Sequence, residues 1–251
     1  MNPGVDLTVS ATLFMTYSRC PDQALGRVHG FYPEESRASF KGGLAHRVFA
    51  RHLKSGPIDS GQLEQACREE IGVGLNPALG SLGLRPSELS AVIKEVGDLY
   101  QRFKVLSSEG FREAEVFLES RPAAGVTLRG SVDATFDSVG GLRLVDWKTG
   151  GLYETDEQLS FYALLWALVH RKLPARVEAV SIGSGESIVA RPTKDSVRAT
   201  ATQVAEMVNE LRSVLDLGDS ELEKTAGPWC RYCALLSTCR EGAAAVTVAD
   251  S

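Results

Sequence analysis

The stretch "LRLVDWKTGG", residues 142–151, decides how this chain is read. In an extended strand alternate side chains share a face. Leu142, Leu144, Asp146 and Lys148 therefore point one way, and Arg143, Val145 and Trp147 the other. The apolar start of the first face marks a buried surface. A carboxylate and an ammonium at its end need partners, because charge is costly to bury alone. Either they pair with each other as an ordinary ion pair, which contributes little, or they serve something that sits beside them.

Two further strands precede this one. "FREAEVFLES" and "GVTLRGSVDATFDS" carry period-two patterns, with turn signals "RPAAG" and "VGG" around them. Such short connections favour an antiparallel meander. Along the second strand Val126, Leu128, Val132 and Phe136 alternate with Arg129, Ser131, Asp133 and Thr135. Asp133 and Asp146 are 13 positions apart across a short turn, so they can meet. Two carboxylates and a lysine at one spot suit a hard divalent cation, magnesium or manganese, which takes oxygen ligands. A lysine there can orient or deprotonate an attacking water, and a metal can stabilise charge on a phosphate.

Around the strands the pattern is helical. Residues 36–54 read as a helix despite Gly42 and Gly43, with His46 on the inward face beside Phe49, Ala50 and Leu53. Arg47, Arg51 and Lys54 form another stripe, fit either to follow a phosphate backbone or to be a solvated face. Residues 62–71 and 86–106 read as further helices, the second opening at Pro86. Residues 156–171 form another, where Thr155 and Gln158 match a capping box. A hairpin around "GSGE" and a long helix over 194–216 follow, and 241–251 read as a flexible tail.

Composition sets bounds. The chain has 251 residues, 43% hydrophobic and 24% charged, the make-up of a water-soluble globular protein. No apolar run is long enough for a membrane span. The first residues lack the basic and apolar regions of a secretory signal, so a cytoplasmic protein is expected. The net charge of -5 carries no overall basic footprint, which leaves nucleic-acid binding to a local groove. No repeat or linker divides the chain, so residues 1–251 are expected to be one α/β domain.

Five cysteines are present, and Cys230, Cys233 and Cys239 crowd into "CRYCALLSTC". With no secretory signal, metal or cluster binding is a better reading than disulfides. Three thiolates are one short of a tetrahedral set. Cys67, in "LEQACREEI", where a helix could bury it as a small apolar side chain, and Cys20, followed by proline, are the candidates for the fourth. Zinc held by four thiolates is the alternative to iron–sulfur. Trp147, Trp229 and Tyr232 could stack on single-stranded bases or simply pack.

Taken in order, His46, the "GSVD" strand ending at Asp133, "DWK" from Asp146 to Lys148, and Gln158 with Tyr162 in "QLSFYALL" resemble the PD-(D/E)XK nuclease superfamily, in its RecB-like exonuclease branch. The resemblance implies a restriction-endonuclease-like core, a mixed central β-sheet flanked by helices. It implies that Asp133, Asp146, His46 and the Trp147 carbonyl hold the metal, and that Lys148, Gln158 and Tyr162 complete the catalytic site. Glu115 matches an often acidic position. Taken alone, Tyr162 reads equally as core and Gln158 as a cap. The placement of Cys20 before the core and Cys230, Cys233 and Cys239 after it is similar to AddB-type and CRISPR-associated RecB-like nucleases. That implies a [4Fe-4S] cluster stapling the two ends of the chain. The expected activity is metal-dependent hydrolysis of DNA, single-stranded or with free ends. The resemblance implies action alone or beside helicase or CRISPR adaptation proteins. The contrasting role is a non-catalytic DNA-binding or scaffold subunit.

Overall fold

The three alternating runs form the expected meander: β2 (Phe111–Ala123), β3 (Val126–Ser138) and β4 (Gly141–Lys148). They belong to a mixed six-stranded sheet. The computed structural model describes residues 6–153, 155–217 and 222–249. β1 (Leu7–Val9) runs parallel to β3, β5 (Arg176–Ser181) parallel to β4, and β6 (Ser187–Ala190) antiparallel to β5.

Helices cover both faces. On one side lie α1 (Ala11–Arg19), α2 (Pro21–Val28), α7 (Asp156–His170) and α8 (Lys194–Leu217), around a core that includes Phe14, Leu128, Val132, Leu144, Phe161 and Leu211. On the other lie α3 (Arg37–Ser55), α4 (Leu63–Gly74), α5 (Asn76–Leu82) and α6 (Pro86–Phe103). Their core holds Phe49, Tyr100, Phe103, Phe136 and Trp147. β4 is therefore buried from both sides, not from one as its leading leucines suggest. Its even residue Leu144 enters the first core, and Val145 and Trp147 enter the second.

Trp147 is a core residue, edge-on to Phe103 at 5.2 Å and to Phe136 at 6.4 Å. It has no face free for a base. α3 stays continuous through Gly42 and Gly43 because its start is fixed. Ser36 Oγ accepts from the Ser39 N–H (3.1 Å), and Ser39 Oγ accepts from the Ser36 N–H (2.9 Å). The C-terminal segment also departs from expectation. A short 3-10 helix (Pro228–Tyr232) is followed by α9 (Arg240–Ala249), so most of the expected flexible tail is helical. Its run of alanines, Ala243 to Ala245, favours helix, and Gly242 seats it against Cys230 and Cys239.

The feature that positions the site is the behaviour of β3. One of its edges pairs with β2 over nearly its whole length. The other pairs with β4 only at residues 134–138 and with β1 only at 126–128. Asp133 is the first residue beyond the point where β3 and β4 part. There Gly130 lets α7 come close, since a Cβ at Gly130 would lie 3.3 Å from Tyr162 Cε1 and 3.4 Å from Leu165 Cδ2. Gly130→Val should therefore lower stability by about 1–3 kcal/mol through overpacking. Urea denaturation measures this, and an unchanged midpoint would contradict the close approach.

Candidate active site

Asp133 fills the fork between β3 and β4 with its own side chain. Its Oδ2 accepts the Trp147 N–H at 2.6 Å, replacing a ladder bond that the parted strands no longer make. Its Oδ1 lies 3.0 Å from His46 Nδ1, which α3 brings in from the other layer. Asp146, buried in β4, faces α7. Its Oδ1 accepts from Gln158 Nε2 at 3.0 Å, and its Oδ2 stands 2.8 Å from Lys148 Nζ. Lys148 Nζ also donates to Gln158 Oε1 at 2.6 Å, and Gln158 Nε2 contacts Tyr162 Oη at 3.2 Å. Asp133, Trp147 and His46 thus form one connected set, and Asp146, Lys148, Gln158 and Tyr162 another.

The expected capping box is absent. Thr155 makes no cap hydrogen bond, because Gln158 is held by Lys148 and Asp146 instead. One glutamine joins the ammonium, the carboxylate and the phenol, a use that spacing alone does not reveal.

The electrostatics record the crowding of acids. Burial pushes the Asp146 carboxyl up to about 6, Asp133 adds to this, and Lys148 and His46 only partly offset it. Burial alone would lower His46, but Asp133, Asp146 and Glu115 outweigh it and raise the imidazole above its ordinary range. Burial, then Asp146, raises the Tyr162 phenol, which stays protonated.

Glu115 stands between the pairs Ala114–Ala134 and Val116–Val132, opposite Asp133. Its backbone is left-handed (φ 58°), uncommon for glutamate within a strand. Desolvation and Asp133 raise its carboxyl, while His46, Lys54 and Arg47 pull it down. Sequence reading placed an acid here but had no signal for the backbone turn that aims it.

Glu115 also lines a cleft with Arg47, Arg51 and Lys54. Here Arg47 is held by Glu70 at 3.2 Å and Arg51 by Glu69 at 2.7 Å, so α4 engages two of the three basic residues. Lys54 is exposed.

The donors fit a hard divalent ion: carboxylate oxygens from Asp133 and Asp146, an imidazole, and a backbone carbonyl nearby. Asp146 Oδ2 is buried and makes no hydrogen bond of good geometry. Among the described residues, no three His, Cys, Asp or Glu side chains already stand in an arrangement that holds an ion. The His46–Asp133 and Lys148–Asp146 contacts use the same oxygens that a metal would take.

The cysteines behave in two ways. Cys67 is fully buried in α4, its thiol raised to about 11 chiefly by burial, as a small apolar residue. Cys20, Cys230, Cys233 and Cys239 line one small cavity with Trp229, Leu235 and Leu236. All four are free thiols. Burial raises Cys233, and the other three add to the rise. The Gly227 and Gly242 N–H groups donate to Cys230 and Cys239 Sγ, each at 3.4 Å. Four thiols with backbone N–H donors suit a thiolate-ligated metal or cluster.

The sequence pattern of the PD-(D/E)XK nuclease superfamily matches residues 8–240. No curated protein matches the chain. Among solved structures, a "putative exonuclease" from Eubacterium rectale is similar in fold, with a TM-score of 0.54 at 14% identity over 89% of this chain and 85% of that one. SSO0001 (TM-score 0.41, 14% identity, 93% and 85% covered) and VC1899 from Vibrio cholerae (0.26, 17%, 74% and 56%) are more distant. Among the described residues no helix is long and apolar enough to cross a membrane.

Because burial and Asp133 disfavour its ionised form, Asp146 weakens the metal-free fold at neutral pH. The raised group contributes stability below 3.8 and loses it as pH rises to about 6. Asp146→Asn, metal-free, should thus melt above the parent at pH 8. The gap should close as pH falls from about 6 to 3.8. Equal melting curves at pH 8 would contradict the assignment.

Proposed function

The chain belongs to the PD-(D/E)XK nuclease superfamily, and we propose that it is a RecB-like deoxyribonuclease that hydrolyses DNA phosphodiesters from free ends with magnesium or manganese. The observation that carries this reading is the buried carboxylate pair with a lysine beside it. Asp146 lies 4% exposed and 2.8 Å from Lys148, and Asp133 is held by His46 and the Trp147 N–H. A scaffold has no use for a carboxyl raised to about 6 by burial and a neighbouring acid.

In this reading Asp133, Asp146, His46 and the Trp147 carbonyl hold the ion. When bound, the ion supplies positive charge at the phosphate and favours loss of a proton from a nearby water. Lys148, fixed between Asp146 and Gln158, orients that water or steadies the phosphate charge. Gln158 and Tyr162 are positioning residues, since their polar atoms are spent on Lys148, Asp146 and each other. Lys54 is the basic residue most available to a phosphate in the adjoining cleft, because Arg47 and Arg51 must first leave Glu70 and Glu69.

The same reading gives Cys20, Cys230, Cys233 and Cys239 a [4Fe-4S] cluster. It supports the fold rather than the reaction, because phosphodiester hydrolysis moves no electrons. It would tie the joint between α1 and α2 to the C-terminal segment and make the chain one domain. The pathway, DNA repair with a helicase or CRISPR spacer acquisition, follows from the proteins that co-purify.

Two measurements test these assignments. End-labelled DNA with magnesium or manganese should be cut by the parent. Lys148→Ala and Asp133→Ala should each lower the rate by at least about 100-fold, as for a lost general base or charge-stabilising group, while remaining folded. Cleavage that survives both substitutions would place the reaction elsewhere. Anaerobically purified protein should be brown, and Cys230→Ser should lose the colour. A colourless protein carrying zinc would replace the cluster with a structural zinc site.

A further inference from the structure

β3 continues past Asp133 along a face that the helices leave open. Its even residues, Leu128 and Val132, enter the core under α7, so its odd residues, Arg129 and Ser131, point with Asp133 to the other side. Across the strand pair, Phe117 stands opposite Ser131 and Glu119 opposite Arg129. Phe117 is 63% exposed, a large apolar ring on an uncovered sheet face with a catalytic candidate one step away. Beyond Arg129 the face opens into a polar hollow lined by Thr8, Ser10, Thr12, Arg27, Tyr32 and Arg129, with Asp6 also in its wall.

Three observations give this hollow a chemistry. The Arg27 guanidinium lies over the Tyr32 ring, 5.9 Å from its centre, and its Nε is buried without a hydrogen-bond partner. Tyr32 is 64% exposed, directed outward by the loop that leaves α2 through Gly30 (φ 87°). Arg129 makes no ion pair among the described residues, and its cross-strand neighbour Glu119 is turned to Arg121 at 3.4 Å. Cations flanked by exposed aromatic rings are what a single strand needs. The charges follow its phosphates, and the rings stack on bases that a duplex keeps stacked on each other.

We propose that Phe117, Arg129, Arg27 and Tyr32 form a track for single-stranded DNA leading to Asp133. The direction of the track rests on the nuclease reading; the binding itself does not. From Asp133 to Arg129 the strand rises about 13 Å at ~3.3 Å per residue. That is room for about four stacked nucleotides at ~3.4 Å each. The track therefore makes single-stranded DNA the substrate.

The test is fluorescence anisotropy with a labelled 12-nucleotide oligothymidylate and with its duplex, in a chelator so that nothing is cut. Phe117→Ala and Tyr32→Ala should each weaken single-strand binding about tenfold and leave duplex binding unchanged. Phe117→Tyr and Tyr32→Phe, which keep a ring, should bind as the parent does. Arg27→Gln and Arg129→Gln should each lower the salt slope by about 0.7. Unchanged binding in all variants, no single-strand binding by the parent, or an equal loss on the duplex overturns the track. Cleavage by the parent is followed alongside. Binding that needs Phe117 and Tyr32 without cleavage supports the track and removes the nuclease reading. Cleavage with unaltered binding in the variants removes the track alone.

Discussion

Everything at this site depends on keeping two carboxylates close together in a buried place. The arrangement is unfavourable on its own, as the rise of Asp146 to about 6 records. The fold sustains it by parting β3 from β4 after Ala134, so that Asp133 meets the Trp147 N–H in place of a ladder bond. Trp147 cannot yield, because its ring is locked edge-on between Phe103 and Phe136. The layer holding α3 delivers His46 to one carboxylate. The layer holding α7 delivers Gln158, and through it Lys148, to the other. Gly130 is the point where the second layer is allowed to close.

Much of this was legible in the sequence because burial writes itself as period. The meander, the helices α3, α6 and α7 and the hairpin of β5 and β6 all follow alternation or helical spacing, with turn residues between. The gathering of His46, Asp133, Asp146, Lys148, Gln158 and Tyr162 followed from the motif order. What was not legible depends on contacts between distant segments. For Trp147 the sequence left stacking on a base and core packing both open, and the enclosure of β4 from both sides makes it core. Gln158 looked like a cap, but a half-buried ammonium and a buried carboxylate hold it more strongly than a helix N-terminus does. Arg47 and Arg51 looked free for phosphate, but α4 brings glutamates against them.

α2 links three parts of the molecule. Cys20 caps its start, Gly26 receives Leu235 from the cysteine segment (2.8 Å from the position a Cβ would take), and Arg27 reaches the hollow beside β1. The cysteine site thus supports the helix that carries Arg27 and leads into the loop of Tyr32.

The central claim is that Asp133 and Asp146 together hold one divalent ion. Titration calorimetry of manganese into the metal-free protein tests it without reference to any substrate. The parent should bind one ion at this site, and Asp133→Asn and Asp146→Asn should each lose it while Glu119→Gln keeps it. Equal binding by the parent and both aspartate variants, or none by the folded parent, would contradict the account.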